Sequence, residues 1–115
     1  MVVSLDVWAR EFPGAVTVCD RDGRILDMNE KAAKTFQKDG GFGLIGKNVL
    51  DCHPEKARTL LKGMLESGRT NCYTIEKRGA RKLIFQSPWY ENGWYRGFVE
   101  LSFEIPEKLP HFVRE

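Results

Sequence analysis

Cysteine and histidine are scarce in this 115-residue chain, which has three of the first and two of the second. Cys19, Cys52 and Cys72 are widely spaced and odd in number, so they spell neither a disulfide framework nor a CxxC zinc site. His53 and His111 cannot complete a zinc site of ordinary ligand count, and no metal centre is expected. No apolar run approaches the roughly 18 residues that a membrane helix needs. The first dozen residues carry Asp6, Arg10 and Glu11 and lack a basic start, which excludes a signal-peptide core. A cytoplasmic chain with reduced thiols is expected. Charge of one sign is missing too. Eighteen Lys+Arg against sixteen Asp+Glu leave +2, too little for the basic footprint of a nucleic-acid-binding or membrane-surface protein. Internal repeats and low-complexity segments are absent.

What is present reads as one globular domain. With 42% hydrophobic and 30% charged residues, the chain is too apolar and too nearly neutral for disorder. A chain of this mass is expected to expose about 6,400 Å² when folded, roughly a third of its extended surface, which leaves a core and no room for a second domain.

Leu5, Trp8, Ala9 and Phe12 fall at helical spacing behind Ser4, a good N-cap, and Asp6, so residues 1–12 form an expected short amphipathic helix. Pro13-Gly14 ends it. Ala15 to Cys19 and Arg24 to Met28 read as a hairpin around Asp20-Arg21-Asp22-Gly23. Asn29 caps a helix with a small apolar stripe of Ala32, Ala33 and Phe36, expected to run to Lys38. Glycines 40, 41, 43 and 46 break the chain before a helical turn around Asn48 to Asp51. Pro54, expected at the first helical position, opens the clearest helix, striped by Ala57, Leu60, Leu61, Met64 and Leu65 and closed by Ser67-Gly68. From Thr70 the period becomes two: Thr70 to Lys77, Arg81 to Tyr90 and Trp94 to Ile105 read as strands. Asn92-Gly93 is a type I′ hairpin signal. Pro106 and Pro110 leave residues 108–115 as a tail. The class is α+β, one antiparallel sheet covered on one face.

Asp20-Arg21-Asp22-Gly23-Arg24-Ile25, then Asn29, then Ala32, Ala33 and Phe36 resemble the opening of a PAS domain. Gly46-Lys47-Asn48-Val49 resembles the family's central segment, and Asn92-Gly93, Gly97-Phe98-Val99 and Glu104-Ile105-Pro106-Glu107 resemble its closing hairpin. The resemblance covers residues 13–107. It implies the PAS fold, a five-stranded antiparallel sheet with helices on one face, here preceded by the short N-terminal helix. Cys52-His53-Pro54 and the segment Gly93 to Glu100 look most like PAS modules fused behind hemerythrin-like domains, which implies bacterial or archaeal sensing. The expected role is a signal-transduction module that binds a small ligand in its core, or pairs with itself or with another PAS-containing chain. Because these 115 residues hold no effector, the output is expected to lie in another chain.

The resemblance also bears on cofactors. Flavin photosensors of this fold carry an adduct-forming cysteine directly after the Asn of the central segment, where this chain has Val49. They also use an amide in the last strand, where it has Val99, so covalent flavin chemistry is not expected. Haem needs an axial ligand, for which Cys52 and His53 are the candidates, and a haem or redox sensor is one alternative. A ligand-free interaction module is another.

The candidate pocket residues are Phe36, Ile45, Val49, Cys52, His53, Leu61, Met64, Ile84, Gln86 and Val99, with Gln86 the preferred polar contact because a buried amide needs a partner. If Tyr95, Val99, Leu101, Phe103 and Ile105 face inward, Glu100 points to the outer face. It joins Leu5, Trp8 and Phe12 as a candidate dimer contact. An enzyme is not expected: no Ser-His-Asp order exists, and Gly40-Gly41-Phe42-Gly43 lacks the Lys-Ser/Thr of a phosphate loop. A cone-shaped α+β fold of the ketosteroid-isomerase type would use an acid in a pocket, but such chains usually begin with long helices.

Overall fold

The computed structural model describes residues 7–52 and 54–115, Cys52 through its backbone alone; Leu5 and His53 lie outside the described residues. The elements run α1 (Val7–Arg10), β1 (Ala15–Asp20), β2 (Ile25–Met28), α2 (Glu30–Thr35), three short 3-10 turns (Gln37–Asp39, Gly41–Leu44, Val49–Cys52), α3 (Glu55–Ser67), β3 (Asn71–Lys77), β4 (Ala80–Glu91) and β5 (Trp94–Ile105). The strands form one antiparallel sheet in the order β2-β1-β5-β4-β3. The first and last strands of the chain's β segments meet at the centre, so the hairpin of β1 and β2 and the meander of β3 to β5 close into one surface.

Local chemistry sets the joints. Asp20 Oδ1 accepts from the backbone N–H of Asp22 and of Arg24, each at 2.9 Å, and Gly23 at φ 89° completes the expected turn. Asn92 and Gly93 take φ 52° and 84°, the left-handed pair a type I′ hairpin needs. Arg78 and Gly79 repeat this at 53° and 80°, so β4 begins at Ala80, inside the expected turn.

Two helix ends differ from expectation. α2 stops at Thr35 rather than Lys38 because the Gly41 N–H bonds back to Phe36 O at 3.0 Å, and the paired glycines, with positive φ at both, tighten the chain into 3-10 turns. Pro54 sits at the N-cap of α3, not at the first helical position. Its backbone is extended (ψ 158°), and its carbonyl accepts from Arg58 N at 2.9 Å.

The core lies on the concave face in two adjoining clusters. Ala15, Ile25, Met28, Ala32, Ala33 and Leu44 pack between β1, β2 and α2. Cys19, Leu65 and Phe98 pack beneath α3. Asn29, wholly buried, ties the segments together. Its Oδ1 accepts from Val16 N and Ala32 N, each at 3.0 Å, and its Nδ2 donates to Ala9 O at 2.9 Å and Gly14 O at 2.8 Å. α1 lies toward the outer face, where Arg10 meets Asp27 at 3.4 Å and Met28 O at 2.9 Å.

α3 stands off the sheet. Leu65 is its one buried residue, while all of β3 is exposed. The chain exposes 8553 Å², about a third more than scaling predicts for a closed domain of its mass.

Candidate functional site

The space under α3 is a cavity of about 580 Å³, within the range of small-molecule sites. Its roof is α3, through Ala57, Leu60, Leu61, Met64 and Leu65; Phe36, Leu44 and Val49 close one end. Its floor is the inner sheet face, through Thr17 and Cys19 of β1, Phe98 and Glu100 of β5, Gln86 of β4, and Asn71 and Tyr73 of β3. Leu60, Asn71 and Tyr73 line the cavity and are themselves exposed, so the mouth opens between α3 and the edge strand β3.

The lining is mostly apolar, with one exception that the sheet register creates. Thr17 pairs with Glu100, Glu100 with Gln86, and Gln86 with Asn71, which sets four polar side chains in a row across four strands. Asn71 Nδ2 donates to Gln86 Oε1 at 3.3 Å, and Gln86 Nε2 donates to Glu100 Oε2 at 2.7 Å. The amide therefore has a partner at each end and holds the carboxylate in place. At the mouth, Asn71 Nδ2 also reaches Met64 Sδ of α3 at 3.9 Å. One residue on, the C-terminal part of α3 is tied down by the Tyr95 hydroxyl, which donates to Leu65 O at 2.6 Å.

The carboxylate colours the field of the cavity. Burial pushes the Cys19 thiol up; the charges of Asp20 and Glu100 push it further, against a backbone hydrogen bond from Phe98. The Tyr73 hydroxyl is raised by burial first and by Glu100 second, partly offset by a hydrogen bond with Gln86. Both groups stay protonated and neutral at physiological pH, and Cys19 behaves as a small buried hydrophobe.

Glu100 overturns the expectation that it points away from the helices. The Asn92-Gly93 turn by itself would set Gln86 opposite Val99. An extra residue in β5 shifts the register between Trp89 and Tyr90, so that Tyr95 pairs with Tyr90 while Gly97 pairs with Trp89. This bulge inverts the alternation. Tyr95 and Phe98 then share the inner face, in edge contact at 6.1 Å, and Glu100 follows them inward. Leu101, Phe103 and Ile105 turn outward, contrary to expectation. Val99 alternates outward as well and meets the cavity as part of its floor.

Of the other candidate pocket residues, Phe36, Val49, Leu61, Met64 and Gln86 line the cavity. Ile84 is buried beside it, one step along the same face of β4. Ile45 does not line it: Leu44 takes the buried place in the 3-10 turn, and Ile45 follows in extended backbone, 40% exposed. His53 and the Cys52 side chain lie outside the described residues, so the haem or redox alternative finds no geometry here. Among the described residues no group of three or more His, Cys, Asp or Glu could hold a metal ion. Of the dimer candidates other than Glu100, Trp8 is 67% exposed and Phe12 39%, packed edge to face at 5.9 Å; Leu5 lies outside the described residues.

Thr17, Asn71 and Tyr73 were missed as site residues. A two-residue turn at Arg78-Gly79 fixes Asn71 opposite Gln86, so the signal for Asn71 was there in the hairpin register. Thr17 depends on a pairing between β1 and β5 that no local pattern encodes.

Residues 10–105 match the family model of the PAS fold. No curated protein matches the chain. Among solved structures, the PAS domain of BvgS from Bordetella pertussis is similar, with a TM-score of 0.65 at 18% identity over 89% of this chain and 84% of that one. A sensory box sensor histidine kinase from Vibrio cholerae gives 0.59 at 17% over 84% and 85%. The Aer2 receptor from Vibrio cholerae, described as a dual PAS-heme oxygen sensor, gives 0.58 at 16% over 81% and 95%. With a five-stranded sheet in the order 2-1-5-4-3, helices over its concave face and the family match spanning nearly all of it, the chain belongs to the PAS family.

Proposed function

We propose that this PAS domain is a sensory module that binds a small, mainly apolar ligand between its sheet and α3, and passes the signal on through a dimer of itself or a PAS-containing partner. The observation that carries this reading is the cavity of about 580 Å³. A core meant only for stability packs to crystal-like density, whereas here the roof helix is held at its Leu65 end and stands clear elsewhere. A ligand that fills the gap would draw α3 onto the sheet, and the two positions of α3 would differ in affinity for it, as a switch requires.

The outer face supports the second half of the proposal. Leu83 pairs with Phe103 and Phe85 with Leu101, a half-buried apolar column on the side where α1 presents exposed Val7 and Trp8. The resemblance of Cys52-His53-Pro54 and Gly93 to Glu100 to modules behind hemerythrin-like domains supports a prokaryotic setting. Among the described lining residues none forms a nucleophile–base pair, which supports sensing over catalysis.

The test is a thermal-shift screen of the purified protein against a metabolite library. A ligand at a hundred times its Kd should add about 2.7 kcal/mol, which at about 4 °C per kcal/mol is roughly 11 °C for a domain of this size. Leu61→Trp, which puts an indole into the cavity from α3, should weaken that shift. Stabilisation by nothing in the library, or by ligands that Leu61→Trp leaves unaffected, would count against the reading.

A further inference from the structure

We propose that the ligand class is an apolar body bearing a protonated amine, whose ammonium group donates to Glu100; this rests on the sensory reading above. Glu100 is half-buried on the cavity floor. Its Oε2 is taken by Gln86 at 2.7 Å, and among the described residues no other hydrogen bond and no ion pair reaches the carboxylate. An ionised carboxylate offers about four acceptor positions and no donor. A half-buried charge without a countercharge is costly, and a cation brought by a ligand relieves that cost.

The rest of the wall points the same way. Asp39 also lines the cavity, and among the described residues no Lys, Arg or His does. Burial is the main reason the Cys19 and Tyr73 groups are raised, and the negative field of Glu100 adds to it in both. A carboxylate or phosphate ligand would meet that field with no cation to receive it. An ammonium would meet an acceptor already oriented by the Asn71–Gln86 relay, while Leu61, Met64 and Phe98 take the apolar body. Gln86 is then a positioning residue, its amide occupied at both ends, and Glu100 is the contact.

Isothermal titration of the full chain with phenylbutylamine, phenylbutanol and phenylbutyrate, and with Nile red as an uncharged apolar probe, tests the class. The amine should bind at least about tenfold more tightly than the alcohol, as a charge-assisted hydrogen bond implies, and the carboxylate more weakly than either. Glu100→Gln should remove the amine's advantage and leave the alcohol unchanged, and Glu100→Leu should tighten the alcohol. The class is overturned if the alcohol or the carboxylate matches the amine, or if Glu100→Gln keeps the amine preference. Binding of Nile red and the alcohol with no gain for the amine would overturn the cation class and leave the cavity reading standing. No binding of any of the four probes would overturn both.

Discussion

Asn29 shows how one side chain can hold a domain's entrance together. It sits after β2 and caps α2, yet two of its four hydrogen bonds go back to carbonyls of Ala9 and Gly14 in the segment that precedes the sheet. All four partners are backbone groups in a buried region, and losing the amide strips a bond from each, although Ala9 O keeps one from Phe12 N at 3.3 Å. Asn29→Ala should destabilise the domain by about 3 kcal/mol, read from the urea midpoint at constant slope. Asn29→Asp discriminates between capping and anchoring. It keeps the two bonds accepted from Val16 and Ala32 but sets a carboxylate oxygen against two carbonyls, so it should be nearly as damaging as alanine. If aspartate is tolerated within about 0.5 kcal/mol, Asn29 is a helix cap only. The cap alone was evident from sequence, since an Asn before Ala-Ala at helical spacing signals a helix start; its carbonyl partners come from a chain reversal at Pro13-Gly14 that no local pattern fixes.

At the scale of elements, the bulge in β5 decides what the cavity can bind. Gly97 allows it. A Cβ there would collide with the Cys19 carbonyl and lie 2.7 Å from Asp20 Cα, so β1 and β5 approach more closely than any side chain permits. Across the pair, Trp89 Nε1 donates to that same Cys19 carbonyl at 3.0 Å. Gly97→Ala must therefore push the strands apart or slip the register. It should cost about 2–3 kcal/mol in the urea midpoint, in the range of overpacked cores, and should weaken any ligand that touches Glu100 more than one that touches only Leu61 and Met64. A substitution tolerated without loss of either would show that the register is fixed elsewhere. The bulge also explains what could and could not be read beforehand. Strands β3 to β5, the type I′ turn at Asn92-Gly93 and the stripe of α3 follow from period, turn chemistry and spacing, while the Arg78-Gly79 turn is one residue shorter than expected. The side on which Glu100 stands does not, because one unpaired residue inverts every later position. How far α3 stands from the sheet is likewise a sum of distant contacts, and so the size of the cavity was not legible either.

For the whole molecule, the surplus of exposed surface is not spread evenly in kind. Val7, Trp8, Phe12 and, in the tail, Leu109, Phe112 and Val113 are all exposed, while the outer sheet face beside α1 carries the apolar pairs of β4 and β5. A domain gains little by leaving such residues in water, and on the proposed reading this apolar surface is where a second subunit or partner docks. Trp8 is the sharpest probe of it. Among described ring contacts it touches Phe12 alone, so its replacement should alter the stability of the isolated domain by no more than about 0.5 kcal/mol, as for other surface changes. A large aromatic at the centre of an interface is, by contrast, the residue type whose loss costs an association most, about 2 kcal/mol or more. Trp8→Glu should therefore convert a dimer into a monomer in sedimentation velocity, with the circular dichroism spectrum and urea midpoint unchanged. If the dimer persists, α1 is not its contact, and the apolar column of β4 and β5 must be covered by a different surface; if the domain unfolds, Trp8 is holding the fold and not a partner.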